Sequence, residues 1–173
     1  MENRGFTLVE LLVVLAVGSI LLAIAVPGYA YLANASRLTT ATNDLVAAMH
    51  LARSEAVKRG MRVTVCKTRD AMAAAPACNA TANWQDGWLV FVDAGTPGGV
   101  DPGDTLLWLQ GQVPGGLVIS SANYSRYISY LPSGVSQGSN GLANGSLEIC
   151  KDGVQREIIV NRTGRARLES SSC

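Results

Sequence analysis

Close to the C-terminus the chain reads Asn161-Arg162-Thr163-Gly164-Arg165-Ala166-Arg167-Leu168. On an extended strand, residues two apart project from the same face, so Arg165 and Arg167 would present guanidinium groups about 7 Å apart. Guanidinium is always charged, and its planar fork of donors matches phosphate oxygens. Two such groups at that spacing suit successive phosphates of a nucleic-acid backbone. Contacts of that kind hold a polyanion without reading its bases. Gly164 would let such a backbone come close or let the strand bend, and Arg162, Lys151 and Arg156 could widen the patch. Glu157 and Glu169 dilute the charge, and a plain solvated strand face that pairs with other chains is the competing explanation. Affinity from two phosphate contacts is weak, salt-sensitive and indifferent to sequence.

A second chemical oddity lies at the other end. Phe6 to Val26 is predominantly apolar, and Glu10 is its one charged side chain. About twenty apolar residues in helix span a bilayer's hydrocarbon core. A carboxylate within such a span costs up to about 3 kcal/mol at the membrane centre, less near the interface. Cleavage after Gly5 would place a new α-amine on Phe6, a cation close enough to offset that cost.

Four cysteines, Cys66, Cys78, Cys150 and Cys173, all lie outside the apolar segment. None forms a C-x-x-C pair or neighbours a histidine cluster, so a zinc site is not expected. Of three possible pairings, Cys66–Cys78 with Cys150–Cys173 closes the shortest loops and pins the last residue. Disulfides imply an oxidising compartment. Asp93, Asp101 and Asp104 fall in a Gly/Pro-rich loop that could offer oxygens to calcium, but the spacing is not that of an EF-hand, and solvated turn carboxylates are expected. Trp84, Trp88, Trp108, Tyr124, Tyr127 and Tyr130 could stack on bases; core and sheet positions suit them better. His50, the single histidine, has no nucleophile or metal partner in view, and no phosphate loop or nucleophile elbow is present. No enzyme activity and no cofactor are expected.

These groups need positioning elements. Pro27 breaks the apolar run and should bend or loosen a helix there. Beyond it Leu38, Thr42, Leu45, Met49, Ala52 and Ala56 recur at spacings of four and three, the stripe of a helix with one buried face. Lys58-Arg59 followed by Gly60 suits a helix C-terminus. Arg53, Glu55 and Lys58 fall on the wet face. Strand patterns follow at Met61–Lys67, Gly87–Asp93, Thr105–Leu109, Gly116–Ser120, Arg126–Leu131, Ser146–Cys150, Arg156–Arg162 and Arg165–Glu169, separated by turn-formers. The Gly-, Ser- and Asn-rich stretch 134–145 is expected to be a loop, as is 71–82.

The leader carries a resemblance. Arg4-Gly5-Phe6-Thr7-Leu8-Val9-Glu10-Leu11-Leu12-Val13-Val14 resembles the class III signal of type IV prepilins and pseudopilins, with Gly at the cut, Phe as first mature residue and Glu as the fifth. Pro27 falls where such pilins bend their helix. The head is similar in a second layer: His50-Leu51-Ala52-Arg53-Ser54-Glu55-Ala56-Val57-Lys58-Arg59-Gly60, then Trp84–Asp93, then Tyr130-Leu131-Pro132-Ser133-Gly134 follow the order seen in the GspH/FimT/FimU group of minor pilins and pseudopilins. Gly164-Arg165-Ala166-Arg167 resembles the Gly-Arg-x-Arg signature of FimT-type minor pilins that bind DNA during transformation.

The resemblance implies cleavage after Gly5 by prepilin peptidase, N-methylation of Phe6, and Glu10 meeting the terminal amine of a neighbouring subunit. It implies an α+β type IV pilin fold: residues 1–5 a leader, 6–33 a transmembrane and filament-core helix, 34–60 its amphipathic half, and 61–173 an antiparallel β-rich head. The expected function is a minor pilin of a type IV pilus that binds double-stranded DNA through Arg165, Arg167, Gly164, Arg162 and Lys151. The alternatives are an assembly-priming minor pilin without DNA binding and a type II secretion pseudopilin. Expected partners are other major and minor pilins, prepilin peptidase, the inner membrane and DNA. The head would be periplasmic before assembly and at the cell surface after it.

Overall fold

A helix with one apolar stripe is stable only if something covers the stripe, and two sheets do so. The computed structural model describes residues 7–173, the Pro27 side chain apart. Helix α1 (Leu8–Arg59) runs without a break through position 27, although proline there removes one backbone donor from its ladder. It ends at Gly60, whose φ of 65° is the left-handed turn that glycine adopts without a Cβ penalty. The chain divides into two units between Ser36 and Arg37. In the first, an 18-residue window of α1 has a mean hydropathy of 2.8 and is wholly unburied. In the second, Leu38, Thr42, Leu45, Met49, Ala52 and Ala56 are all buried.

Nine strands follow: β1 (Val63–Lys67), β2 (Trp88–Val92), β3 (Thr105–Gln110), β4 (Val118–Ser120), β5 (Tyr127–Tyr130), β6 (Ser136–Gly138), β7 (Gly145–Lys151), β8 (Val154–Val160) and β9 (Ala166–Ser172). A five-stranded sheet has the order β3-β2-β1-β5-β6, and a four-stranded sheet the order β4-β7-β8-β9. Every pairing is antiparallel. The α1 stripe shares one core with Val63, Val65, Val90 and Ile128 of the first sheet and Leu147, Ile149, Ile158 and Val160 of the second. Burying each such aliphatic side chain contributes about 1.5–3 kcal/mol, so the head half of α1 is held by packing rather than by propensity.

Both faces of β1 and β2 are buried, because a second, smaller cluster of Cys66, Ala71, Leu89 and Phe91 lies on the face turned away from α1. The Cys66–Cys78 disulfide ties the 68–83 loop over it. The loop after β2 is tied by Asp93, whose buried carboxylate accepts hydrogen bonds from Arg62 (2.8 Å), the Thr64 hydroxyl (2.6 Å) and the Gly98 amide (2.9 Å).

Among the loops and strands, the structure departs from the sequence expectations as follows. The 134–145 stretch is not all loop, since Ser136–Gly138 forms β6 against β5. Trp84–Asp86 form a short 3-10 turn that no periodicity announced. Arg165 precedes β9 rather than lying in it, because a side-chain-built turn extends the connection to 161–165.

Candidate nucleic-acid interface

The β8–β9 connection is organised by Asn161. Its Oδ1 accepts hydrogen bonds from the Thr163 amide (3.1 Å), the Thr163 hydroxyl (2.8 Å) and the Arg165 amide (2.9 Å). Backbone bonds from Gly164 to Asn161 and from Asn161 to Arg165 close the turn. Asparagine does this readily because its carbonyl imitates a backbone acceptor. The turn is therefore rigid, and it holds Arg162 and Arg165 exposed on either side of Gly164.

Gly164 itself is buried. Its φ of 76° is left-handed, and a Cβ there would run into the Gly134 carbonyl oxygen, the Tyr130 ring and the Arg53 guanidinium. Its backbone faces the protein, so a close approach by an external backbone does not explain this glycine. Arg53 completes the joint: Nε donates to the Gly134 carbonyl (3.2 Å) and an Nη to the Thr163 carbonyl (3.1 Å). Arg53 was expected on the wet face of α1; it is half-buried and bridges two loops. Three separate stretches of the family resemblance, those containing Arg53, Gly134 and Gly164, thus meet at one point.

The antiparallel register sorts the remaining charges. Leu147 and Ile158 point into the core, so their strand neighbours point outward. The outward row nearest the turn is Arg167–Ile159–Ser146, and the next is Glu169–Glu157–Glu148. Arg167 is ion-paired to Glu169 at 2.7 Å, with both side chains about half exposed or more (67% and 48%). Among the described residues neither Arg162 nor Arg165 has a partner for its guanidinium. Lys151 pairs with β8 at Val154, the far end of the ladder from the turn, and contacts Asp152 at 3.4 Å; six residues of strand put it about 20 Å away. Arg156 pairs with Ile149, on the inward face. The five residues expected to act together therefore separate into a free pair, Arg162 and Arg165, a neutralised Arg167, a structural Gly164 and a distant Lys151. A shallow groove lined by Asn123, Asn144, Glu148, Glu157, Arg162 and Arg167 runs beside the turn.

The other expected sites resolve as follows. Gly5 and Phe6 lie outside the described residues. Glu10 accepts hydrogen bonds from the Thr7 amide (3.0 Å) and hydroxyl (2.9 Å), while its own amide donates to the Thr7 hydroxyl (3.3 Å). That reciprocal pair is a capping box, and the T-x-x-E spacing of the sequence would have revealed it. The cysteines are joined as Cys66–Cys78 and Cys150–Cys173. In the acidic loop, Asp101 accepts from the Thr96 amide, and Asp104 from the Ala94 and Asp101 amides; these carboxylates serve the loop's own backbone. Trp84, Trp88, Tyr124 and Tyr130 are buried and unavailable for stacking. His50 is exposed on α1 near Arg53, Val57 and Lys58.

An apolar N-terminal helix whose second half is packed under antiparallel sheets defines a type IV pilin fold. The match to known families agrees: residues 1–26 match the prokaryotic N-terminal methylation motif, and residues 41–164 match the family described as type II transport protein GspH. The chain belongs to the GspH family and is a type IV pilin-like protein of the GspH/FimT/FimU group. Two crystal structures of the type IV minor pilin FimU of Pseudomonas aeruginosa PAO1 share the fold. One, in space group P65, has a TM-score of 0.52 at 19% identity over 76% of this chain and 91% of that one. The other, in space group P21, has a TM-score of 0.54 at 19% identity over 78% and 89%. No curated protein sequence matches the chain. Membership makes it a structural filament protein of the minor-pilin or pseudopilin kind, not an enzyme. It implies association with other pilins and processing by prepilin peptidase, and the signal and apolar helix fit a membrane anchor that later enters a pilus.

Proposed function

We propose that this chain is a minor pilin of a type IV pilus whose head holds double-stranded DNA by its phosphates at the β8–β9 turn, for uptake in natural transformation. The observation that carries this is the pair of exposed, unpartnered guanidiniums of Arg162 and Arg165, presented by a turn that Asn161 and Arg53 hold rigid. The turn fixes where the two side chains leave the backbone, while the free guanidiniums still lose rotamer freedom on meeting phosphate. Two contacts give weak binding that several head copies in a filament would raise through avidity. Arg167 contributes less than these two while its ion pair with Glu169 holds. Cleavage after Gly5, methylation of Phe6 and a Glu10 contact with a neighbour's terminal amine prepare the chain for assembly. Residues 6–33 anchor it in the inner membrane beforehand, with 34–60 supporting the 61–173 head.

The test is titration of the full chain in non-ionic detergent against labelled duplex DNA at two salt concentrations, beside an Arg162→Ala/Arg165→Ala variant of unchanged melting. Weak, salt-sensitive binding that the variant loses is the expected outcome. Absence of parent binding at low salt removes DNA capture. A second role, assembly priming or type II secretion without DNA, is favoured by the burial of Gly164. The glycine of the Gly-Arg-x-Arg run is explained by packing alone, so the run does not require a ligand.

A further inference from the structure

We infer that the glutamate row Glu169–Glu157–Glu148 is a fence that confines a bound polyanion to the turn and sets its affinity. This rests on the DNA contact proposed for Arg162 and Arg165. The register aligns the three residues straight across β9, β8 and β7 on the outward face. They span two inter-strand gaps, about 10 Å, and stand one same-face step, about 7 Å, behind Arg167. A duplex laid along the strands from the turn would bring its phosphates over three carboxylates. One crossing the turn meets Arg162 and Arg165, with Arg53 beneath them, and lies off the glutamate row. Like charges at such distances repel appreciably even in a screened surface setting.

Glu169 acts through its ion pair at 2.7 Å with Arg167, the arginine closest to the turn on that face. The pair has no net charge, so the repulsion of the row comes chiefly from Glu157 and Glu148. Arg162, Arg167, Glu148 and Glu157 line the same groove, so the balance of charge there is local. The row lowers affinity by design of the sheet: it keeps the footprint short and the contact easily reversed, which suits a subunit that must release what it captures.

The experiment compares full-chain parent, Glu169→Gln, Glu157→Gln and Asp152→Asn in non-ionic detergent, binding one labelled duplex over a salt series. Asp152 lies at the opposite end of the β7–β8 hairpin and carries the same charge change at a distance. Glu169→Gln should tighten binding about three- to tenfold. The slope of log affinity against log salt should steepen from about −1.8 to about −2.7, one phosphate more at about −0.9 each. Glu157→Gln should tighten binding with little change of slope, and Asp152→Asn should match the parent. If the parent binds and Glu169→Gln does not differ from it, the fence is wrong while DNA capture stands. An equal gain from Asp152→Asn reduces the effect to net charge and also overturns it. If neither the parent nor Glu169→Gln binds at low salt, the DNA contact itself fails, and the fence with it.

Discussion

Replacing Gly164 with alanine adds a single methyl group at the point where α1, the 131–135 turn and the β8–β9 turn meet. The cost can be worked from the geometry. A non-glycine residue at φ of 76° pays about 1–2 kcal/mol for the left-handed backbone. The new Cβ also collides with the Gly134 carbonyl and crowds Arg53, so the bond between those two is strained or lost at about another 1–2 kcal/mol. The sum is about 2–4 kcal/mol. For a unit of this size each kcal/mol lowers Tm by roughly 2–4 °C, so a fall of about 5–15 °C is expected in a thermal melt followed by circular dichroism. A Gly164→Asn variant should melt no higher than Gly164→Ala, because asparagine's tolerance of the left-handed region is outweighed by a carboxamide forced into the same buried contact. Melting of Gly164→Ala within about 1 °C of the parent would refute the packing account, and the glycine would then need a ligand to explain it.

Three further outcomes are expected. Arg53→Lys keeps the charge but cannot fork between the Gly134 and Thr163 carbonyls, so it should cost about 1–3 kcal/mol; hydrogen exchange should show the 161–165 amides opening faster while those of β1 and β2 do not. Removing the Cys150–Cys173 bridge by a double serine variant should cost about 3 kcal/mol in chemical denaturation, from the freed loop of 23 residues; a cost below about 1 kcal/mol would contradict that estimate. Glu55 is held below its usual carboxylate pKa chiefly by the Arg59 hydrogen bond, against desolvation and with help from Lys58. Its folded pKa is depressed, so its contribution is present above about 4.5 and is lost as pH falls through the folded value. Glu55→Gln should therefore melt below the parent near neutral pH, and the gap should close as the pH is taken down past that value.

The long helix and its buried seam were legible because a 3.6-residue period records which side of α1 is covered, and Gly60 marks where it stops. Strand β2 was legible as an apolar run and β1 by its alternating valines, and both are buried on both faces. β6 was not, since Ser136-Gln137-Gly138 has no apolar signature and becomes a strand only because the β5 backbone offers it partners. Arg53 was misjudged for a related reason. Helix spacing says where a side chain leaves the helix, but not which loop, arriving from 81 or 110 residues away, will meet it. The arginine cluster suffered most. Lys151 is close to Arg162 in sequence, but the whole extended length of β8 lies between them and puts the two at opposite ends of the sheet. Nor could composition reveal that Glu148, Glu157 and Glu169 share one row, since that depends on the register of two hairpins.

The bridge from Cys150 to Cys173 links β9 to β7 across the intervening β8. Tension on the β8–β9 turn pulls along the axes of both strands. Antiparallel ladder bonds lie perpendicular to that direction, so those between β8 and β7 are loaded together in shear rather than peeled one after another. The terminal strand, an edge element with an otherwise free end, is stitched at that end to the strand beyond its neighbour. A filament subunit towing cargo from this turn would thus pass the load into the middle of the sheet.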